Sequence, residues 1–365
     1  MTLAASPTDD AATTAGTGER ALVTGGALTP EDLGTVPVEL IERIRGAKRV
    51  MTVCHRDPEP DALGSALGNA LIVEALGGRA TAVCADPVPD AYHFLPLMDR
   101  FRTAPEPDLD PDLIIVGDCG ELARVGRVLD DHAELFSRVP IVNINHHVSN
   151  IGFGAVDWVD AESAATCEQV TLLAAALSVP LDSAEGALAA QLMSGVVIDT
   201  ANFQHPNTTA RTLRVASALR EAGAPLPEIA RRLYRTKQNA QLKLFGLSLS
   251  RMVASDEGKL VWTSLMDDDF ATAGASPAHS EGLIDLLAQS ETAEVAIIFK
   301  ESGPHTRISV RTREGGVDAT VLTGTFGGGG HARASGATLE APVADAQPLV
   351  LAEARRLIAA LPDPA

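Results

Sequence analysis

The feature that most constrains the fold is a repeated one: a short apolar run stops abruptly at a histidine or an aspartate. Arg49-Val-Met-Thr-Val-Cys54 ends at His55, Asp112–Gly117 ends at Asp118, and Val139–Ile144 leads through Asn145 into His146-His147. Runs of this length, bounded in this way, read as buried strands. Ala80–Asp86 is a fourth. Between them Ala62–Leu76 carries Leu63, Leu67 and Leu71 at helical spacing and stops at Gly77-Gly78, while Ser163–Leu177 and Glu185–Ile198 read as further helices. Continuously apolar strands that alternate with helices predict an α/β fold, a mostly parallel sheet flanked by helices. Ligands of such sheets gather at the carboxyl ends of the strands, and that is where this chain places its polar residues.

At 365 residues the chain is longer than one hydrophobic core usually supports, so two domains are expected. Residues 1–35 are rich in Ala, Thr, Gly and Asp and poor in large apolar side chains, the composition of a disordered tail. The first domain spans 36–235 and a connecting segment 236–258. A smaller α/β domain, 259–365, has strands at Leu260–Leu265, Val295–Phe299 and Thr306–Arg311 around an apolar helix at Leu283–Leu287.

Charge narrows the function. With 29 Lys and Arg against 48 Asp and Glu, the net charge is −19, which lacks the basic surface that non-specific duplex binding needs. Nine Phe, two Trp and two Tyr are too few for a platform that stacks long single strands. Any nucleic-acid substrate is therefore short, or neutralised by something the protein recruits; long nucleic acid is not an expected partner. No apolar run reaches the ~18 residues of a membrane span. Cys54, Cys84, Cys119 and Cys167 form no C-x-x-C pair, and the N-terminus lacks a secretory apolar region, so a cytoplasmic location is expected.

The polar strand ends collect His55, Asp57, Glu59, Asp61, Asp118, His146, His147 and Asp199. Five carboxylates and three imidazoles at one sheet edge repel and protonate unless cations neutralise them. Mixed His and carboxylate ligation suits Mn²⁺, Fe²⁺ or Zn²⁺, whereas Mg²⁺ prefers oxygen. Two such ions about 3.5–4 Å apart, bridged by a carboxylate, activate water for an in-line phosphoryl displacement. Far downstream, Phe326-Gly-Gly-Gly-Gly-His331 reads either as a flexible turn or as a loop whose backbone N–H groups approach a phosphate.

These residues carry a resemblance. His55-Arg-Asp-Pro-Glu-Pro-Asp61-Ala-Leu-Gly-Ser65 resembles the H-x-x-P-D-x-D-x-x-G-S motif of the DHH phosphoesterase superfamily, and Asn145-His146-His147 its name-giving motif. Ile198-Asp199-Thr200-Ala-Asn-Phe203 is similar to its D-T-G-x-F element. Gly327-Gly-Gly-Gly-His331-Ala-Arg-Ala334-Ser-Gly336 matches the G-G-G-H-x-x-A-x-G signature of the DHHA1 substrate domain. Order and length are most similar to the NrnA-type subfamily, nano-RNases that also dephosphorylate 3′-phosphoadenosine 5′-phosphate.

The resemblance implies two divalent ions, Mn²⁺ foremost. His55, Glu59 and Asp118 would hold one; Asp61, Asp118, His146 and Asp199 the other, with Asp118 as bridge and His147 facing the scissile phosphate. In the second domain Arg311 and the loop Gly328, Gly329, Gly330 and His331 would grip a more distant phosphate, and Arg124 matches a basic position after the bridging Asp. Three positions depart from the pattern. Glu59 replaces Asp and must fold back to reach the same ion; Asn145 replaces an Asp that supports the site; Ala201 replaces Gly. The implied activity is hydrolysis of short oligonucleotides and bisphosphorylated nucleosides in a cleft closed by the second domain. A cyclic di-AMP phosphodiesterase and a non-catalytic nucleotide-binding protein, weakened at Glu59 and Asn145, are the alternatives. Relatives commonly pair as homodimers through the first domain; no self-complementary apolar surface stands out here.

Overall fold

The computed structural model describes residues 27–106 and 109–361. The chain divides into two compact units, Met1–Thr236 and Lys237–Ala365.

The first unit is built on five parallel strands: β1 (Arg49–Val53), β2 (Arg79–Val83), β3 (Leu113–Gly117), β4 (Ile141–Asn145) and β5 (Val156–Val159), in the order β2-β1-β3-β4-β5. Side chains alternate between two apolar layers. Val50, Leu113, Ile115, Val142 and Ile144 join one core, and Met51, Val53, Ile114, Val116 and Ile141 the other. Burial on both faces is why these strands read as continuous apolar runs. The larger core is filled by helices Pro60–Ala75, Thr166–Ala176 and Ala187–Asp199. The first of these is buried from Pro60 to Val73, consistent with its nearly all-apolar sequence. The chain leaves β1 toward β2 on one side and returns as β3 on the other. The carboxyl ends of β1 and β3 therefore flank a topological switch point, where crossover connections diverge and leave room for a ligand.

The second unit is a mixed sheet of β6 (Val253–Ser255), β7 (Leu260–Leu265), β8 (Val295–Ser302), β9 (His305–Thr312), β10 (Gly329–His331) and β11 (Ala334–Leu339), in the order β10-β11-β9-β8-β7-β6. One face packs Ile297, Phe299, Ile308 and Val310 against Val350 and Ala354 of helix Val343–Ala359. The other covers Val261, Ala296 and Ile298 with Leu244, Phe245, Leu283 and Leu287.

Two expectations change. Residues 1–26 of the expected tail lie outside the described residues, but 27–35 are ordered. Thr29 and Asp32 form a reciprocal cap on helix Pro30–Leu33, and buried Asp32 accepts two hydrogen bonds from Arg214, 2.8 and 2.6 Å. Hydrogen bonding to Arg214 holds the Asp32 carboxyl well below the usual range despite burial. Composition hid this because the partner lies 182 residues away. The segment 236–258 is likewise no plain connector. It contains helix Asn239–Leu249, whose Leu244 and Phe245 are buried in the second unit's core. No helix among the described residues is long and apolar enough to cross a membrane.

Candidate metal centre

The strand ends converge as the alternating pattern predicts. His55 follows β1, Asp118 follows β3, and His146 and His147 follow β4, so four side chains reach one edge of the sheet. Glu59 and Asp61 enter from the start of helix Pro60–Ala75, and Asp199 from the end of helix Ala187–Asp199. Their nitrogen and carboxylate oxygen atoms form three groups, each with donors mutually within 4.8 Å: His55, Glu59 and Asp118; Asp118, His146 and His147; Asp61, His146 and Asp199. Asp118 and His146 each belong to two groups.

The imidazoles are aimed by their outer nitrogens. His55 Nδ1 lies 2.7 Å from the Arg56 carbonyl, which turns Nε2 inward to 3.3 Å from Glu59 and 3.4 Å from Asp118. His146 Nδ1 lies 3.3 Å from the Ser163 carbonyl, leaving Nε2 3.3 Å from Asp199 and 3.5 Å from Asp118. A carbonyl accepting at Nδ1 fixes the tautomer that leaves Nε2 free to ligate.

Glu59 shows how the longer acid fits. It is the N-cap of its helix: Oε1 accepts from the Ala62 N–H at 3.1 Å, and Oε2 faces His55. The extra methylene is taken up by folding the carboxylate back onto the helix start. Asn145 accepts from His147 twice, through the backbone N–H (3.3 Å) and Nδ1 (2.8 Å), while its own Nδ2 is buried without a partner. The amide thus still orients His147, but spends one desolvated donor that a carboxylate would not carry. Asp57, grouped with the site by sequence, stands outside all three groups. It is exposed, and its backbone N–H donates instead to Asp86 (2.8 Å).

Several residues that the sequence did not single out hold the site in place. Asp61 is wholly buried and accepts from the backbone N–H groups of Thr166 (2.7 Å) and Cys167 (2.8 Å), at the start of helix Thr166–Ala176. The Thr166 hydroxyl donates to Asp118 at 2.9 Å. Helix N-termini favour anions, so this one steadies two carboxylates at once. The loop before it is locked by Arg211, which bonds Glu168 (2.7 Å) and Asp160 (2.8 Å). Nothing local in Ser163-Ala-Ala-Thr166 signals this support, because the carboxylates it holds lie 48 and 105 residues away in the chain.

Electrostatics show what the cluster lacks. No Lys or Arg among the described residues pairs with Glu59, Asp61, Asp118 or Asp199, so the carboxylates lean on imidazoles and on each other. Burial and the charge of Asp61 push Asp118 up to about 7, against the pull of His55. Burial followed by the charges of Asp61 and Asp118 raises Asp199 well above the usual range. Burial disfavours a charged His55, but hydrogen bonds to Asp118 and Glu59 outweigh it and hold it at about 10. Burial alone would raise Glu59; the hydrogen bond and charge of His55, together with the Ala62 N–H, outweigh it and bring Glu59 to about 2. Burial, with the charges of His146 and Arg124, lowers His147 to about 4. Arg124, on the turn Leu122–Val125, is thus close enough for its charge to act on His147.

Just after Asp199 the chain turns through Ala201, Asn202 and Phe203 at φ of 46°, 60° and 64°. A side chain in this left-handed region costs about 1–2 kcal/mol. Ala201→Gly is therefore expected to raise the unfolding free energy by about 1 kcal/mol, read by urea denaturation. A loss of stability would show that the turn is not strained.

In the second unit Arg311 lies on β9 and is held by Asp285, Nε to Oδ1 2.8 Å. The glycine run is less of a loop than the sequence suggests. Gly329, Gly330 and His331 form the exposed edge strand β10, paired with Gly336, Ser335 and Ala334 of β11. Gly328 precedes it and backs directly on Gly336 and Ala337, with no room for a side chain. The register Arg311–Ala334–His331 places Arg311 and His331 in one row across the sheet, on one face, with a small residue between them.

A parallel sheet that presents overlapping His and carboxylate groups at its carboxyl edge, in a chain whose second unit carries an Arg- and Gly-lined sheet, defines a hydrolytic phosphoesterase. Residues 49–196 match the DHH family N-terminal domain, and residues 258–360 match the DHHA1 domain. The chain belongs to the DHH family and carries a DHHA1 domain. It is 34% identical over 302 residues to the bifunctional oligoribonuclease and PAP phosphatase NrnA of Thermus thermophilus, covering 83% of this chain and 87% of that protein. It is 25% identical over 311 residues to the cyclic-di-AMP phosphodiesterase PdeA of Listeria monocytogenes, covering 80% of this chain and 45% of that one. The fold matches the crystal structure of an exopolyphosphatase-related protein from Bacteroides fragilis, with a TM-score of 0.79, 21% identity, and 92% and 99% of the two chains covered.

Proposed function

We propose that the chain is a Mn²⁺-dependent phosphoesterase that hydrolyses short oligonucleotides and 3′-phosphoadenosine 5′-phosphate. The observation that carries this reading is the sharing of Asp118 and His146 among three ligand groups. Two adjacent cations explain why one buried carboxylate serves two of them. The donors fit the ions: four carboxylates and two aimed imidazoles, with no basic side chain to neutralise them, are the mixed oxygen and nitrogen set that Mn²⁺ accepts. His55, Glu59 and Asp118 would hold one ion, and Asp61, Asp118, His146 and Asp199 the other. When bound, the pair supplies an activated water and offsets charge on the phosphoryl oxygens. His147, tied at Nδ1 to Asn145 and kept neutral, turns Nε2 toward the scissile phosphate. In the second unit Arg311, His331 and the backbone of Gly328, Gly329 and Gly330 bind a nucleotide phosphate. Cyclic di-AMP is the second substrate to test, because the likeness to the PdeA phosphodiesterase extends over most of the chain. Four unpaired, buried cysteines suit a cytoplasmic enzyme.

Metal binding should release protons. Groups raised above their ordinary pKa, here His55 at about 10, Asp118 at about 7 and Asp199, hold protons at neutral pH that a cation must displace. Mn²⁺ added to the weakly buffered protein near pH 7 is expected to acidify the solution, and its affinity to tighten as pH rises from about 6 to about 8. Affinity independent of pH would refute the proposed ligand set.

The function itself is tested with Mn²⁺ and a panel of substrates: a diribonucleotide, a pentanucleotide, 3′-phosphoadenosine 5′-phosphate, cyclic di-AMP and a strand of about twenty nucleotides. Turnover of the short substrates and sparing of the long strand is the expected result. Efficient digestion of the long strand, or two bound Mn²⁺ without turnover of any short substrate, overturns it.

A further inference from the structure

Strand β9 carries Arg307, Ser309 and Arg311 on one face, while Ile308 and Val310 on the other are buried in the core against helix Val343–Ala359. Register places Lys300 of β8 opposite Arg307, Ile298 opposite Ser309 and Ala296 opposite Arg311, so all six residues share a face. On β7 and β8 that face is covered by the apolar layer of Leu244, Leu283 and Leu287. The cover ends at β9. Beyond it the sheet lies open and holds a cavity of about 680 Å³, lined by Ser280, Lys300, Arg307, Ser309, Gly328 and Thr338 among others.

The two cations in this cavity differ from Arg311. Arg311 is neutralised by Asp285, whereas the Arg307 guanidinium has no hydrogen bond or ion pair among the described residues. Lys300 is held in place: its Nζ donates to the Ser280 hydroxyl (3.0 Å) and the Pro277 carbonyl (3.3 Å), and it stands 5.1 Å from the centre of the Phe270 ring. Like charges directly opposite on one face of a sheet are destabilising. Burial and the charge of Arg307 lower the Lys300 pKa, with Asp267 opposing. Lys300 and Arg307 also line a smaller cavity of about 290 Å³ together with Asp267 and Glu301, and among the described residues neither acid forms an ion pair with Arg307. A preformed cationic pair beside a glycine-backed wall, in a chain of net charge −19, is what an anion from outside the protein would complete.

We propose that Lys300 and Arg307, beside Gly328 at the start of the glycine run and separate from Arg311, form a second phosphate subsite that recognises substrates longer than a dinucleotide. Four residues of strand, about 13 Å, separate Arg307 from Arg311. Neighbouring phosphates of a nucleotide chain are closer together than this, so the added subsite addresses a phosphate further along. The inference rests on the phosphoesterase reading only for the nature of the ligand, and its test needs no turnover.

A 5′-phosphorylated adenylate pentanucleotide and the corresponding dinucleotide are titrated calorimetrically into the full-length protein in EDTA, at several salt concentrations. Arg307→Ala is expected to weaken pentanucleotide binding about tenfold while leaving the dinucleotide within about twofold. The same variant should flatten the salt dependence of the pentanucleotide by about 0.7 in log–log slope, one phosphate contact on a single strand. Lys300→Ala should repeat the pattern. Unchanged dinucleotide binding also reports that each variant is folded. Equal weakening of both ligands, an unaffected pentanucleotide, or no pentanucleotide binding by the parent protein overturns the proposal. Binding in EDTA by a parent protein that leaves the same pentanucleotide intact at saturating Mn²⁺ would count against the proposed function and leave the subsite standing.

Discussion

Asp118→Asn is expected to eliminate stoichiometric Mn²⁺ binding and to lower kcat/KM on a dinucleotide by about a thousandfold or more, beyond the ~10–100-fold cost of altering a residue that only supports a ligand. Asp118 stands between His55 at 3.4 Å and His146 at 3.5 Å and joins two of the three donor groups, so its loss disables both proposed ion positions together. The change is nearly isosteric, and an amide oxygen still accepts from the Thr166 hydroxyl, so the fold should survive. The sign of the stability effect separates a metal role from a structural one. Burial and Asp61 raise the Asp118 pKa to about 7, so with no metal its ionised form opposes folding, and that cost grows as pH rises from about 4 toward 7. The metal-free Asn variant should therefore be at least as stable as the metal-free parent near pH 8, while the stabilisation the parent gains from Mn²⁺ disappears. Turnover like the parent's, measured with saturating Mn²⁺, would dismiss Asp118 as the shared ligand.

Gly195→Ala should be the most damaging small change away from the strand ends. A Cβ on Gly195 would lie 2.5 Å from Asp61 Oδ1 and closer still to Cys167 Sγ. Neither neighbour can move freely, because the Asp61 carboxylate is pinned by the Thr166 and Cys167 N–H groups. Forcing a methyl into a packed interior costs about 1–3 kcal/mol, and here the strain falls on a proposed ligand. Thermal unfolding is expected at a lower temperature, together with weaker Mn²⁺ binding in calorimetric titration. An unchanged melting temperature would mean that helices Pro60–Ala75 and Ala187–Asp199 have slack the packing does not show.

Much of the site was legible because strand ends are local. An apolar run followed by His55, Asp118 or His146 announces both a buried strand and a polar tip at its carboxyl edge, and the parallel order of the sheet then brings the tips together. Asp57 shows the limit of that logic. It sits between two members of the cluster in sequence, yet a backbone at φ 53° carries it away to Asp86. Thr166 shows the reverse: nothing in its own neighbourhood links it to Asp118, 48 residues earlier. The segment 236–258 reads as a connector because its polar spacing conceals the helix Asn239–Leu249 until the core that receives Leu244 and Phe245 is known. The glycine run reads as a flexible turn or a phosphate-approaching loop because glycine carries no strand preference; pairing with β11 alone makes part of it an edge strand.

The sequence by itself determined the class of fold, the identity of the polar strand ends and the cation-seeking chemistry they imply, because apolar periodicity and residue type are carried by neighbours along the chain. Only the tertiary structure decided which of those residues share a site, how Glu59 reaches it, what pins Asp61, and that Arg307 stands on an open sheet face with no ion-pair partner among the described residues. Each of these depends on geometry that local pattern does not encode: contacts such as Asp61 to Thr166 across 105 positions, or the point at which a covering layer of helices comes to an end.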